Sequence, residues 1–305
     1  MTTDIKKLDE LLGQVRNLPP LSSGVTQLMA LRSDDPALVE RVTEIVQADP
    51  ALAAQIIKVA NSAAFTGQQV VDTVDRAIMR VGVRMVTGAM TQTQMQSAFD
   101  PSTDVTGAIW FINILSADFA KALAETVKQC GIEPESAYTY GLLHDIGRLV
   151  MAQLLGPTMM ELVDESPSLR TELARRERAL FGFDHIMAGR LLGNRWRLPP
   201  EMTLVIAAHH IPAAERKGCP PTAARMIDLL TVVDEVVHLT ITRGEDLDAV
   251  GHSLGNATAA PELRAVCDQL GITDAAILAA LKIALKAADR QRQMLGIKKH
   301  APATP

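Results

Sequence analysis

Apolar residues return at helical spacing along most of this 305-residue chain, and strand-like alternation is rare. In ALVERVTEIVQA, Leu38, Val42, Ile45 and Val46 share one face, and in ALAAQIIKVANSA, Leu52, Ile56, Ile57 and Ala60 do the same. An Asp-Pro pair precedes each, Asp35-Pro36 and Asp49-Pro50. Asp can cap the free N–H groups there, while Pro fills a first helical position where its missing N–H costs nothing. The same spacing predicts helices over 70–81 and 85–99, then a turn-rich break at Asp100-Pro101-Ser102-Thr103-Asp104.

Beyond the break the pattern predicts a long helix over 107–127, closed by Cys130-Gly131. A single helix follows over 135–155 and stops at Gly156-Pro157. Further helices are expected over 168–180, 184–197, 200–210 and 222–242. A small-residue segment over 251–261 leads to two more, over 261–270 and 274–295. In the last, Ile277, Leu278, Leu281 and Leu285 lie on one face. Asn61-Ser62, at the end of the 50–60 helix, is read as satisfying the chain's own carbonyls and amides. The tail HAPATP is expected to be disordered.

Composition sharpens this to an all-α fold. Apolar residues make up 48% but aromatics only 3%, so the core is built from Leu, Ile, Val, Ala and Met, which suits helix packing. A net charge of −5 gives no general pull toward nucleic acid or an anionic membrane. The basic run from Arg170 to Arg178, interleaved with Glu172 and Glu177, reads as a solvated helix face. Cys130, Cys219 and Cys267 are widely spaced and imply no disulfide framework or zinc knuckle. The N-terminal 17 residues read as a charged amphipathic helix with no signal-peptide core, and no transmembrane run stands out. The expected location is cytoplasmic, with neither membrane nor nucleic-acid partner.

Candidate chemistry centres on YGLLHDIGRLV. His144 and Asp145 are residue types that hold first-row metals, and a hydrolytic site needs three or more protein ligands and a position for water. Neighbours in one helix point about 100° apart, so other helices must complete any shell. His185, the pair His209-His210 and Asp234 lie on separate predicted helices and are the candidates. Spacing alone leaves two readings open, a metal site and a buried structural network.

Several stretches together resemble the HDOD family, a bacterial regulatory branch related to the HD and HD-GYP phosphohydrolases. They are LPPLSS at 18–23, ADPALAAQIIKVANSAAF at 48–65, AIMRVGVRMV at 77–86, GLLHDIGRLV at 141–150 and ERALFGFDHIMAGRLLGNRWRLP at 177–199. The resemblance implies a two-lobed helical fold. An HDOD domain would span 18–245, with an N-terminal lobe over 18–100 and a degenerate HD-like lobe over 101–245. A C-terminal helical extension over 246–305 would follow.

The resemblance places His144, Asp145, His185, His209 and Asp234 on ligand positions of the catalytic relatives. It places Ile112, which cannot ligate, on the first-histidine position. Arg148 replaces the lysine of HDIGK and is the candidate phosphate contact, and the GYP signature is absent. These residues are accordingly expected to be a vestigial metal site with no catalytic residue and no cofactor, or else to keep a divalent iron, manganese or zinc.

The implied function is a non-catalytic signal-transduction module. It would bind response-regulator, diguanylate cyclase or kinase proteins, with self-association through the 274–295 helix. The alternatives are a metal-dependent phosphohydrolase of nucleotides or cyclic dinucleotides, in which Asp145 is essential, and a nucleotide-sensing pseudo-enzyme.

Overall fold

Asp49 and Pro50 show how local sequence sets the helix ends in this computed structural model. The model describes residues 13, 18–32, 34–62, 65, 70–156, 158–159, 170–241, 244, 246–255, 261–294 and 297. The Asp49 carboxylate accepts the backbone N–H groups of Ala51 (2.9 Å) and Leu52 (3.2 Å), and Pro50 occupies the first helical turn. Asp35 behaves differently. It accepts Ala37 N–H at 2.9 Å in a turn, so the next helix starts at Leu38 with no side-chain cap.

The described residues form helices and no strand, an all-α architecture that divides into two compact units. The smaller comprises Pro19–Ala98 and Arg195–Pro199. Its helices are α1 (Ser23–Ala30), α2 (Leu38–Ala48), α3 (Pro50–Ala60), α4 (Val74–Val81) and α5 (Val83–Ala98). The apolar stripes meet in a core that includes Val25, Leu28, Val42, Val46, Leu52, Ile56 and Met90, all buried. α4 begins later than the apolar pattern predicts, because Thr73 caps it at Arg76 N–H. Gly82, at φ +90°, separates α4 from α5. Asn61 satisfies the chain itself: its amide donates to Ile57 O and Val71 O and accepts from Val71 N–H.

The larger unit is built on α6 (Asp104–Thr126), which Thr103 caps. By length and composition α6 is apolar enough to cross a membrane, but 78% of its apolar window is buried inside the fold. It is buried on nearly every side because other helices surround it: α7 (Pro134–Leu143), α8 (Ile146–Leu155), α12 (Pro221–Ile241) and α15 (Asp274–Met294). Between them in sequence come α9 (Arg170–Phe181), α10 (His185–Arg195) and α11 (Pro200–Ala208), then α13 (Leu247–Gly255) and α14 (Pro261–Leu270).

The C-terminal helix α15 is part of this unit. It buries Ile277, Ala280, Leu281, Ala284 and Ala288, and its Gln291 amide donates to both oxygens of Asp118 on α6. The N-terminal helix expected over 1–17 and the HAPATP tail lie outside the described residues, apart from an exposed Gly13.

The expected single helix over 135–155 is broken. α7 ends at Leu143, α8 begins at Ile146, and the step between them is His144–Asp145, with Asp145 at φ −101°, ψ 18°. The apolar pattern runs unbroken across this step, so periodicity alone carries no sign of it. α11 likewise ends at Ala208, two residues short of His210.

Candidate metal centre

Two close backbone crossings position His144 and Asp145. At the first, α7 lies against α6 so tightly that a Cβ on Gly141 would come within 2.8 Å of Ala117 Cα and Ser116 O. The helices are antiparallel, with Lys121 bonded to Glu135 at 2.6 Å further along the same face. Ile112 and Asn113 lie about one turn earlier on α6, both buried. At the second crossing a Cβ on Gly147 would lie 1.8 Å from the His185 carbonyl oxygen, so only glycine admits α10 this close to α8.

His144 projects from the end of α7. Its Nδ1–H donates to the Gly141 carbonyl at 2.8 Å, and its Nε2 is 2.8 Å from Asp234 Oδ1 on α12. Burial works against charge on this ring, but the Asp234 and Asp145 carboxylates outweigh it and lift the pKa to about 9. His144 and Asp234 therefore form a charge-assisted hydrogen bond.

Asp145 faces the other way round the cluster. Its Oδ2 accepts from Arg148 Nη1 at 3.3 Å, while its Oδ1 lies 3.5 Å from His185 Nε2 and 3.3 Å from His209 Nε2. Burial would raise this carboxyl, yet His144, His209, His185 and Arg148 hold it well below the usual carboxylate range. Asp145 Oδ1 and His209 Nε2 are both buried, and neither has a hydrogen-bond partner, since the contact between them is misaligned for one.

The other ring nitrogens are held from behind. His209 Nδ1–H donates to Ile206 O at 2.8 Å. His185 Nδ1–H donates to Glu177 Oε2 at 2.6 Å, and the same oxygen accepts His185 backbone N–H at 2.9 Å. Burial disfavours charge on His185, and Glu177 more than offsets it, so its pKa is raised. Asp184 caps α10 at Met187 N–H and pairs with Arg178, fixing the approach from α9.

The structure thus gathers all five sequence candidates, His144, Asp145, His185, His209 and Asp234, with Arg148 bonded to Asp145. It brings in His210 of the candidate pair, whose Nε2 is 3.0 Å from His185 Nε2. It also adds Glu177, which is fully buried rather than part of a solvated face. The HH pair flagged His210. Nothing in the RRERALF run marked Glu177, except its place eight residues before a histidine-led helix. Ile112 sits at 8% exposure, and the buried Asn113 beside it has neither amide atom hydrogen-bonded.

Ligand-capable atoms fall into two overlapping groups: Asp145, His185, His209 and His210, and His144, Asp145 and Asp234. Imidazoles with a carboxylate suit iron, manganese or zinc. The donor set and the unpartnered Asp145 and His209 atoms fit such an ion in the first group. In the second, His144 and Asp234 already bond each other.

The HDOD domain profile matches residues 18–212, most of the chain. The protein belongs to the HDOD family. Among solved structures, an HDOD domain protein of unknown function from Geobacter sulfurreducens is similar over 96% of this chain and 98% of its own, at 20% identity and TM-score 0.69. A Marinobacter aquaeolei protein whose name proposes signal transduction matches over 96% of this chain, at 24% identity and TM-score 0.69. This chain spans 66% of that one. A Shewanella amazonensis protein whose name proposes a phosphohydrolase matches over 94% of this chain and 96% of its own, at 21% identity and TM-score 0.58. An uncharacterized Treponema pallidum protein is 21% identical over 209 residues, a stretch that covers only 40% of its length. At these identities the structural likenesses establish the HDOD fold.

Proposed function

We propose that this HDOD chain is a non-catalytic signal-transduction module that acts by binding other proteins. One observation carries the reading. Ile112 stands at the position that the family resemblance gives to the first ligand histidine and cannot ligate, while His144 and Asp234 are bonded to each other at 2.8 Å. A water-activating centre needs a firmly held metal with an open position, and loss of a ligand weakens that hold. The name of the Marinobacter protein agrees in direction. Partners of response-regulator, diguanylate cyclase or kinase type fit such a module, as does self-association through α15. A cytoplasmic site of action goes with them.

A second reading, hydrolysis of a nucleotide or cyclic dinucleotide, is favoured by the clustering of four histidines and two aspartates beside Arg148. Binding of a nucleotide without turnover is its weaker form. The test is an assay of phosphomonoesters, cyclic nucleotides and cyclic dinucleotides with iron, manganese or zinc supplied. No turnover above the chelator control is expected. Turnover that Asp145→Ala abolishes would overturn the regulatory reading.

A further inference from the structure

The C-terminal helix α15 turns one face into the fold and leaves the opposite one charged. Ile277, Ala280, Leu281, Ala284 and Ala288 are buried, whereas Lys282, Ile283, Lys286 and Arg290 are exposed. Lys282, Lys286 and Arg290 follow at four-residue steps, so their charges form a row rising about 6 Å per step. Like charges four apart destabilise a helix unless an acid lies within reach. The acids of α15 are engaged elsewhere: Asp274 is bonded to Arg264 at 2.6 Å and Asp289 to Arg292 at 2.7 Å. Asp118, which attracts Arg290 from α6, is buried and already accepts the Gln291 amide. Among the described residues, Lys282 and Lys286 make no ion pair or side-chain hydrogen bond. Arg290 donates to the Lys286 carbonyl at 3.2 Å, along the row itself.

We propose, on the protein-binding reading above, that this face of α15 docks an acidic amphipathic helix of a partner protein. Charge complementarity selects the partner, since carboxylates at the same four-residue step meet the three cations in register. Ile283, 55% exposed and three residues before Lys286, supplies an apolar contact beside the row. The chain as a whole carries −5, so the cations act locally and set up no wide field toward nucleic acid or an anionic surface. Across a two-fold axis a second copy would set the row against itself. Self-association through this face therefore needs a head-to-tail contact with acidic groups elsewhere on the chain. Exposed charge pairs contribute modestly and are screened by salt, so the contact is weak and sensitive to ionic strength.

The test titrates the full chain into a fluorescent helical peptide of about 20 residues, with Glu at four-residue steps and Leu beside them. Anisotropy should show one site at low salt that weakens as salt is added. Lys282→Glu with Lys286→Glu should weaken binding about tenfold, and Ile283→Ser by less. Lys58→Glu with Arg195→Glu makes the same charge change at exposed positions away from α15, and should bind as wild type. The peptide with Lys in place of Glu should prefer the Lys282→Glu, Lys286→Glu protein to the wild type, a reversal that a misfolded variant could not give. Circular dichroism and Tm confirm that each variant is folded. No binding at low salt and millimolar peptide would overturn the proposal. So would equal binding by the α15 double variant, or equal binding of a Gln-for-Glu peptide. A short DNA duplex or phosphatidylserine vesicles held more tightly through the same lysines would assign the face to another partner. A wild-type dimer in sedimentation velocity that the double variant loses would assign it to a second copy. Failure here leaves the protein-binding reading to another surface, whereas metal-dependent turnover would sink that reading without altering the peptide titration.

Discussion

Gly147→Ala is the substitution for which the structure gives the sharpest expectation. The added Cβ would lie 1.8 Å from the His185 carbonyl oxygen, 2.6 Å from Gly189 N and 2.7 Å from the His185 carbonyl carbon. Ordinary contact needs about 3.5–4.0 Å, so α8 and α10 must part by well over an ångström. All three obstacles are backbone atoms, and no rotamer change relieves them. Alanine in a helix gains up to about 1 kcal/mol over glycine, while overpacking of this kind costs about 1–3 kcal/mol or more. A net loss of about 1–2 kcal/mol follows, and at roughly 2–4 °C per kcal/mol for a unit of this size, Tm should fall by about 2–8 °C. Gly251→Ala is the matched control. It meets only the flexible Leu278 Cδ1, at 3.3 Å, inside α13, and should leave Tm unchanged or slightly raised. Thermal melts of the two variants beside the wild type decide the matter. A Gly147→Ala protein as stable as its parent would refute the claim that this crossing sets the spacing of Asp145 and His185.

Other expectations follow from buried charge. Asp118 is pushed up to about 7 by burial, against the opposing pull of Lys121 and Arg290. The folded chain therefore keeps a proton that the unfolded chain releases near pH 4. Stability should fall as pH rises from about 4 to about 7, by up to a few kcal/mol, and level off above. Urea midpoints across that range should show the slope in the wild type and a flatter profile in Asp118→Asn; equal profiles would rule the assignment out. Arg216 and Asp228 form a buried pair, with side chains 5% and 3% exposed, and Arg216 also donates to Ala224 O at 3.0 Å. Asp228→Ala strands the guanidinium and should cost about 3–5 kcal/mol in denaturant unfolding, whereas a loss below 1 kcal/mol would mean that Arg216 escapes to water.

Most helices were legible because their apolar faces and ends obey local rules: Asp49 caps where Asp-Pro predicts it, and α15 buries Ile277 and Leu281 of the predicted stripe, with Leu278 and Leu285 half-buried beside them. Misses arose where tertiary contact overrides pattern. The break at His144–Asp145 leaves no trace in the hydrophobic period, since Leu142, Leu143, Ile146 and Leu149 are all buried on either side of it. Asp35 resembles Asp49 in sequence, but its carboxylate closes a turn to Ala37. Glu177 looks solvated because its neighbours Arg176 and Arg178 leave the helix on other faces. Only the docking of α10 shows that one carboxylate in that run is buried against His185. The candidate residues were found by type, but their division into two halves depends on distances no spacing rule supplies.

That division explains how a histidine-rich cluster and a missing ligand sit in one protein. Buried charges are tolerated when each has a partner. His144 and Asp234 meet the condition through their 2.8 Å bond, with the nearby carboxylates raising the imidazole against the effect of burial. Asp145 does not. Arg148 and neighbouring rings stabilise its charge, yet its Oδ1 has no hydrogen bond and faces two Nε2 atoms whose rings donate their outer Nδ1–H groups to Glu177 and to the Ile206 carbonyl. A cation at that oxygen would meet the condition, and Asp145, His185, His209 and His210 offer ligand atoms within 4.8 Å of one another around it.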